Sequence, residues 1–217
     1  MLLVIIVLSP SIENLIKIFA KFPTIGPKTA ARFVFYLLDS PALISDELIK
    51  SIQNLKTNTK VCPLCFRVFE PLATLGAGPS NEKNICEICA NPSRDKSLVC
   101  VVEKEIDLEA IEKTATYKGL YFILGGVLPI LKKETVEQTL TTNVEKLRDR
   151  VKITHEVKEI ILAINPTLEG QNTILWLKRK LEGCNIKISC LAQGIPLGGE
   201  IEYADEQTIE SAIQNRR

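Results

Sequence analysis

A single histidine, His155, leaves this chain without any site that pairs two imidazoles, and it reads as a structural residue rather than a catalytic one. Charge of one sign is also missing. The formal net charge is +1, so the chain cannot coat nucleic acid by bulk electrostatics. What bias exists lies at the start, where seven Lys/Arg against four Asp/Glu leave +3 over residues 1–60 and −2 over the remainder. No apolar run approaches the ~20 residues that cross a bilayer. The stretch Met1–Leu8 is apolar but has no basic lead and meets Pro10 without a small-residue cleavage site, so it reads as an extra strand or packing arm. Nothing points to secretion or a membrane, and a reducing cytoplasm is the expected compartment. The tail Gln193–Asp205, with its glycine-rich turn, lacks the Lys-Ser/Thr of a phosphate-binding P-loop.

Cysteine, by contrast, is plentiful and ordered. Cys62-Pro63-Leu64-Cys65 and Cys86-Glu87-Ile88-Cys89 form two Cys-x-x-Cys pairs separated by twenty residues. Each pair is short enough to present both thiolates to one ion, and four soft ligands suit one tetrahedral Zn²⁺. Two disulfides would need an oxidising compartment, and a redox pair would explain one Cys-x-x-Cys and not the other. The expectation is therefore one structural zinc on Cys62, Cys65, Cys86 and Cys89, in a module with almost no hydrophobic core of its own. All four positions are closed, so the ion staples and does not catalyse. Cys100, Cys184 and Cys190 lie in or beside apolar runs and read as buried free thiols.

Ahead of the cysteines, Ile12, Leu15, Ile16 and Phe19 mark one face of a first helix. Phe22-Pro23-Thr24-Ile25-Gly26-Pro27-Lys28-Thr29 follows, with Gly26 expected at positive φ and Pro27 opening a second helix that ends before Pro41. A helix N-terminus offered outward can hold a phosphate oxygen. Lys28 and Arg32, four residues apart, extend that seat along one helical face. No reader of base edges is evident, so DNA contact should be to the backbone and independent of sequence. A third helix is expected over Leu43–Leu55, a small hairpin within Phe66–Leu75, and an exposed loop at Gly76–Asn81.

Past the polar turn Asn91–Lys96 the period changes. Strands are expected at Leu98–Val102, Leu120–Leu124, Glu159–Ile164 and Ile186–Leu191, alternating with helices at Leu108–Thr114, Thr135–Leu147 and Thr173–Leu181. That alternation predicts a mostly parallel sheet covered by helices on both faces. Glu103 and Glu169 then fall at strand carboxyl ends, where ligands gather and two carboxylates could share Mg²⁺; two carboxylates alone favour the plainer reading, polar loop residues facing a partner or solvent. Trp176 reads as helix core or interface.

In order and content these stretches resemble the family of the bacterial recombination mediator RecR. They are Phe22–Leu38, the two cysteine pairs, Asn91–Glu103, Gly125-Gly126, Asn165–Gly170 and Gly194–Asp205. The resemblance implies a multi-part α/β chain. A helix-hairpin-helix region occupies residues 1–58, a four-cysteine zinc finger 59–92, a Toprim domain 97–195 and a C-terminal segment 196–217. It implies ring-like homo-oligomers, dimer or tetramer, that clamp DNA without enzymatic activity and act with RecO and RecF to load recombinase. Lys28 and Arg32 match positions of DNA contact, the four cysteines match the zinc ligands, and Glu103 and Glu169 match an acidic face that in this family serves as a partner surface. Two departures stand out: the spacer between the cysteine pairs is long, and Gln171 stands where an acidic residue is common. The rival readings are a Toprim-type Mg²⁺-dependent nucleic-acid enzyme using Glu103 and Glu169, and a zinc-stapled metabolic enzyme with a nucleotide pocket.

Overall fold

The structure is a computed structural model that describes residues 8–71, 84–131, 134–154 and 156–216. The start of the apolar arm, the Gly76–Asn81 loop and His155 lie outside the described residues. The chain divides into two compact units, residues 1–59 and 60–217.

The first unit holds three helices, α1 (Pro10–Phe19), α2 (Pro27–Asp39) and α3 (Ala42–Asn58). Ser9 caps α1 by accepting the Ile12 N–H, and Pro10 fills the first helical position where its missing donor does no harm. The Ile12, Leu15, Ile16 and Phe19 face is half-buried as α1 packs on α2, whose Ala30 and Val34 are fully enclosed. Phe19 meets Phe33 edge-to-face with centroids 5.9 Å apart, which pins the two helices near the hairpin. The hairpin itself differs from expectation. Gly26 sits at φ −82°, and Thr24 carries the left-handed turn at φ 65°. The chain reverses one residue before Ile25, so Gly26 is free to serve as an extended N-cap.

The second unit begins with a two-stranded antiparallel hairpin, β1 (Lys60–Val61) with β2 (Val68–Phe69). The hairpin expected within Phe66–Leu75 runs beyond the described residues after Pro71; among the described residues Val68–Phe69 pairs with Lys60–Val61 upstream, with the first cysteine pair forming the turn. The four-residue helix α4 (Glu87–Ala90) carries the second pair. Then come β3 (Asp95–Val102), α5 (Glu105–Glu112), β4 (Gly119–Ile123), α6 (Glu134–Thr154), β5 (Glu159–Ala163), α7 (Leu168–Lys180), β6 (Lys187–Cys190) and α8 (Glu206–Gln214). The four long strands are all parallel, in the order β4-β3-β5-β6.

Alternation along β3 assigns the two faces. Val99 and Val101 join Leu140, Val144 and Leu147 of α6 and Leu177 of α7 in one core. Cys100 and Val102 join Leu108 of α5 on the other, together with Cys62, Cys65 and Cys86. The cysteine module therefore substitutes for a helix on the second face of the sheet. That corrects the expectation of a module nearly devoid of hydrophobic core: its sulfurs are embedded in the sheet's own.

Three further differences have local causes. Helix α7 starts at Leu168 instead of Thr173, because Thr167 caps it by accepting the Gly170 N–H at 3.1 Å. Helix α8 lies past the Gln193–Asp205 tail in the C-terminal segment, where the sequence suggested no helix, and is started by Asp205, whose carboxylate accepts the Thr208 N–H at 3.0 Å. Cys190 is exposed, not buried, since it ends the edge strand β6, and Cys184 is half-buried; Cys100 is buried as expected, which pushes its thiol pKa up to about 12.

Candidate nucleic-acid interface and metal centre

The N-terminus of α2 is built differently from those of α1, α7 and α8. Ser9, Thr167 and Asp205 each place a side-chain oxygen on a first-turn N–H. Gly26 has no side chain to do so, and the first turn of α2 holds no acidic residue. Its first-turn amides and the positive end of the helix dipole have no side-chain cap or acid beside them, a condition α3 shares; what sets α2 apart is the pair Lys28 and Arg32. The turn that presents them is rigid, with Phe22 N–H donating to the Phe19 carbonyl at 3.1 Å, Ile25 N–H to Phe22 at 3.2 Å, and Ala30 N–H to Gly26 at 2.9 Å. Lys28 and Arg32 are both exposed beside this seat. A Cβ added at Gly26 would meet no atom within 4 Å, so neither φ nor internal packing demands glycine there.

The metal centre is assembled by two knuckles. In the first, Cys62 N–H donates to the Arg67 carbonyl at 2.8 Å and Phe66 N–H to the Cys62 carbonyl at 2.9 Å, the turn closing on Phe66 at φ 64°. In the second, Cys86 precedes α4 and accepts the Ala90 N–H at 2.9 Å. The four Sγ atoms lie within 4.8 Å of one another, with Cys65 and Cys86 3.5 Å apart. A tetrahedron of ~2.3 Å metal–sulfur bonds has edges of about 3.8 Å, so the donor set fits one metal ion. Hydrogen bonds from Cys65, Cys86 and Cys89 hold the Cys62 thiol far below its ordinary range, as expected where four sulfurs compete for few protons. Among the described residues this is the only group of three or more metal-capable side chains.

Sequence reasoning missed what fastens this centre to the sheet. The Cys65 carbonyl accepts the Ile123 N–H at 2.8 Å, so the knuckle pairs with the otherwise open edge of β4. Arg150 of α6 donates to the Leu64 carbonyl at 2.9 Å. Arg67 pairs with Glu87, joining the two knuckles, and with Glu105 at 3.6 Å. Glu105 in turn accepts the Val68 N–H at 3.1 Å. Phe66 stands edge-to-face on Phe122 at 5.1 Å, under the Lys146 ammonium at 4.9 Å. None of these partners shares a short spacing that a sequence pattern could register.

The acidic pair expected at the strand ends is dispersed in role. Glu103 follows β3, is 8% exposed, and accepts the Asn165 N–H at 2.8 Å. Glu169 is half-buried in the first turn of α7, and Gln171 lies beyond it. Trp176 is half-buried against the core with Lys180 over its ring at 5.9 Å.

A parallel four-stranded sheet preceded in the chain by a helix-hairpin-helix and then a four-cysteine candidate metal centre defines a class: a Toprim protein equipped with a helix-hairpin-helix. The RecR helix-hairpin-helix family matches residues 12–56, the Toprim domain family 97–192, and the RecR C-terminal family 194–217. A recombination protein RecR of Bifidobacterium adolescentis is 40% identical over 208 residues, 95% of this chain and 96% of the relative. One from Chlorobium chlorochromatii is 37% identical over 96% of this chain and 97% of its own length. One from Lactobacillus acidophilus is 37% identical over 94% and 96%. The chain belongs to the RecR family of recombination proteins. Among the described residues no helix is long and apolar enough to cross a membrane.

Proposed function

We propose that this chain is a non-enzymatic, sequence-independent DNA-binding mediator of recombinational repair. It works as an oligomeric clamp in the cytoplasm, with RecO- and RecF-type partners, to load recombinase on gapped DNA. Residues 1–58 grip DNA, 59–92 bind one structural Zn²⁺, 97–195 form the Toprim platform and 196–217 a C-terminal segment. The observation that carries this reading is the uncapped, acid-free N-terminus of α2 beside exposed Lys28 and Arg32, with open space over Gly26. Zinc is the ion that four thiolates in a closed set, three of them buried, select.

Oligomerisation follows from magnitude. Two phosphate contacts give a salt slope near −1.8, so affinity falls only about 12-fold between 50 and 200 mM salt, the signature of a feeble monomeric grip. Several hairpins on one assembly act together through effective concentration. Exposed Leu48, Ile52 and Leu55, at i, i+4 and i+7 on α3, supply an apolar stripe for a second copy.

The test is Lys28→Ala with Arg32→Ala, measured by fluorescence anisotropy on gapped DNA across a salt series. Affinity should fall at least tenfold at 50 mM salt and the slope should flatten, with an unchanged melting temperature. Equal affinity at matched salt would place the contact elsewhere.

A further inference from the structure

Strands β3 and β5 are neighbours, yet the chain leaves them in opposite directions, through α5 to β4 and through α7 to β6. Between the carboxyl ends of two such strands an α/β sheet opens the crevice in which ligands ordinarily sit. Here that crevice is stitched. Glu103, the first residue past β3, sends Oε1 across it to accept the Asn165 N–H at 2.8 Å, while its carbonyl accepts the Gly125 N–H from the end of β4 at 2.9 Å. One residue thus ties three strand ends.

The far side of the stitch is equally fixed. A Cβ at Gly170 would overlap the Asn165 carbonyl, so glycine alone allows the loop to fold back on itself. Gln171 N–H donates to the Thr167 carbonyl at 2.8 Å, and Thr173 Oγ1, itself donating to the Glu169 carbonyl at 2.6 Å, accepts the Leu128 N–H at 2.9 Å. Two of the nearby acids have other duties: Asp107 accepts the Lys104 N–H and Asp205 the Thr208 N–H. A hard divalent cation needs several free oxygens. The Asn165 amide presents positive charge to one Glu103 oxygen, and Gln171 offers only a neutral amide.

We propose that Glu103 is a positioning residue whose carboxylate clasps the Asn165–Gly170 loop across the crevice, and is not a ligand for a divalent cation. The clasp holds exposed Leu168 and the flanking Glu169 in fixed places at the rim. This deepens the non-enzymatic reading above and rests on it only in denying Glu103 a role as a cation ligand; the clasp stands or falls alone.

The experiment compares full-length wild type with Glu103→Gln, which keeps the reach and loses the charge, and Glu103→Asp, which keeps the charge and withdraws the oxygen by about 1.5 Å. Amide hydrogen exchange at Asn165 and calorimetric titration with Mg²⁺ and Mn²⁺ are the readouts, with DNA binding measured in parallel. Glu103→Gln should leave Asn165 exchange within about twofold of wild type. Glu103→Asp should speed it about tenfold, the equivalent of one hydrogen bond. No form should take up either cation at millimolar concentration. The opposite order, or wild-type cation binding that Glu103→Gln abolishes, overturns the proposal. If Glu103→Asp does not fold, Asn165 exchange in Glu103→Gln decides, since a tenfold rise there sinks the clasp. Intact DNA binding alongside a failed clasp would leave the clamp reading standing.

Discussion

The two units of this chain solve the problem of burial in unlike ways. In the described part of the helical unit only Ala30 and Val34 are buried apolar residues, while Phe22, Tyr36, Leu43, Ile49, Ile52 and Leu55 are all more than half exposed. The sheet unit encloses two cores, one under α6 and α7 and the other shared between α5 and the metal knuckles. Its ion pairs follow the same division, for every one found among the described residues lies beyond Lys60. A unit of about 50 residues with so thin a core needs help from a metal or another copy. The candidate metal site belongs to the sheet unit; on the function proposed above, the helical unit would draw its stability from association, and the part that would grip DNA would gain most from neighbours.

Removing the ion is the strongest way to break this contrast. Apparent binding energies for such sites are roughly 10 to 16 kcal/mol, comparable to the whole stability of a domain. Chelation, or Cys65→Ser, should expose the face of the sheet that carries Cys100 and release the Cys65 carbonyl from the edge of β4. Amide exchange at Ile123 should rise by orders of magnitude and Cys100 should become reactive to a thiol reagent. Amides of α1 and α2 should change little. Retained protection at Ile123 after full metal loss would show that the knuckles merely sit on a self-sufficient sheet.

A smaller effect, confined to the other unit, is expected from Ile52→Glu. Burial of one such side chain contributes about 1.5 to 3 kcal/mol, and a two-fold interface counts it twice. The dissociation constant of the assembly should therefore rise by about 10² to 10⁴, read by sedimentation velocity over a concentration series. The melting of the sheet unit should not move. An assembly unaffected by the substitution would remove α3 from the interface.

What the sequence disclosed tracks the range of the interactions involved. The cysteine spacing and the changes of period were legible because each arises from residues a few positions apart. Helix α7 was recognised only from Thr173 onward, since Leu168–Asn172 is polar enough to read as loop and its helicity depends on the Thr167 cap. Thr24 and not Gly26 takes the left-handed turn, a choice that residue preference ranks the other way. The clasp from Glu103 to Asn165 spans 62 positions and the bond from Arg150 to Leu64 spans 86, and no local pattern encodes either. Site residue types could be read from the chain, but their duties depended on partners brought in by the fold.

The finest test concerns acid. Burial works against the Glu112 carboxylate, yet hydrogen bonds from Arg94 and Tyr121 outweigh it and hold its pKa below the ordinary value of 4.5. A carboxylate depressed on folding contributes stability that is fully present above its unfolded pKa and is lost as pH falls through the lower, folded one. With solvent screening at a partly open pair, the contribution is about 1 kcal/mol. Arg94 also donates to the Tyr117 and Gly119 carbonyls, so this pair fixes the start of β4 against the end of α5. Between pH 5 and pH 3, amides of β4 should therefore lose protection earlier than those of α2, which has no comparable pair. Glu112→Gln should flatten that pH dependence of β4 and leave the α2 profile as it was. Equal acid sensitivity in the two units, unchanged by the substitution, would mean that the division between them rests on apolar burial and the metal alone.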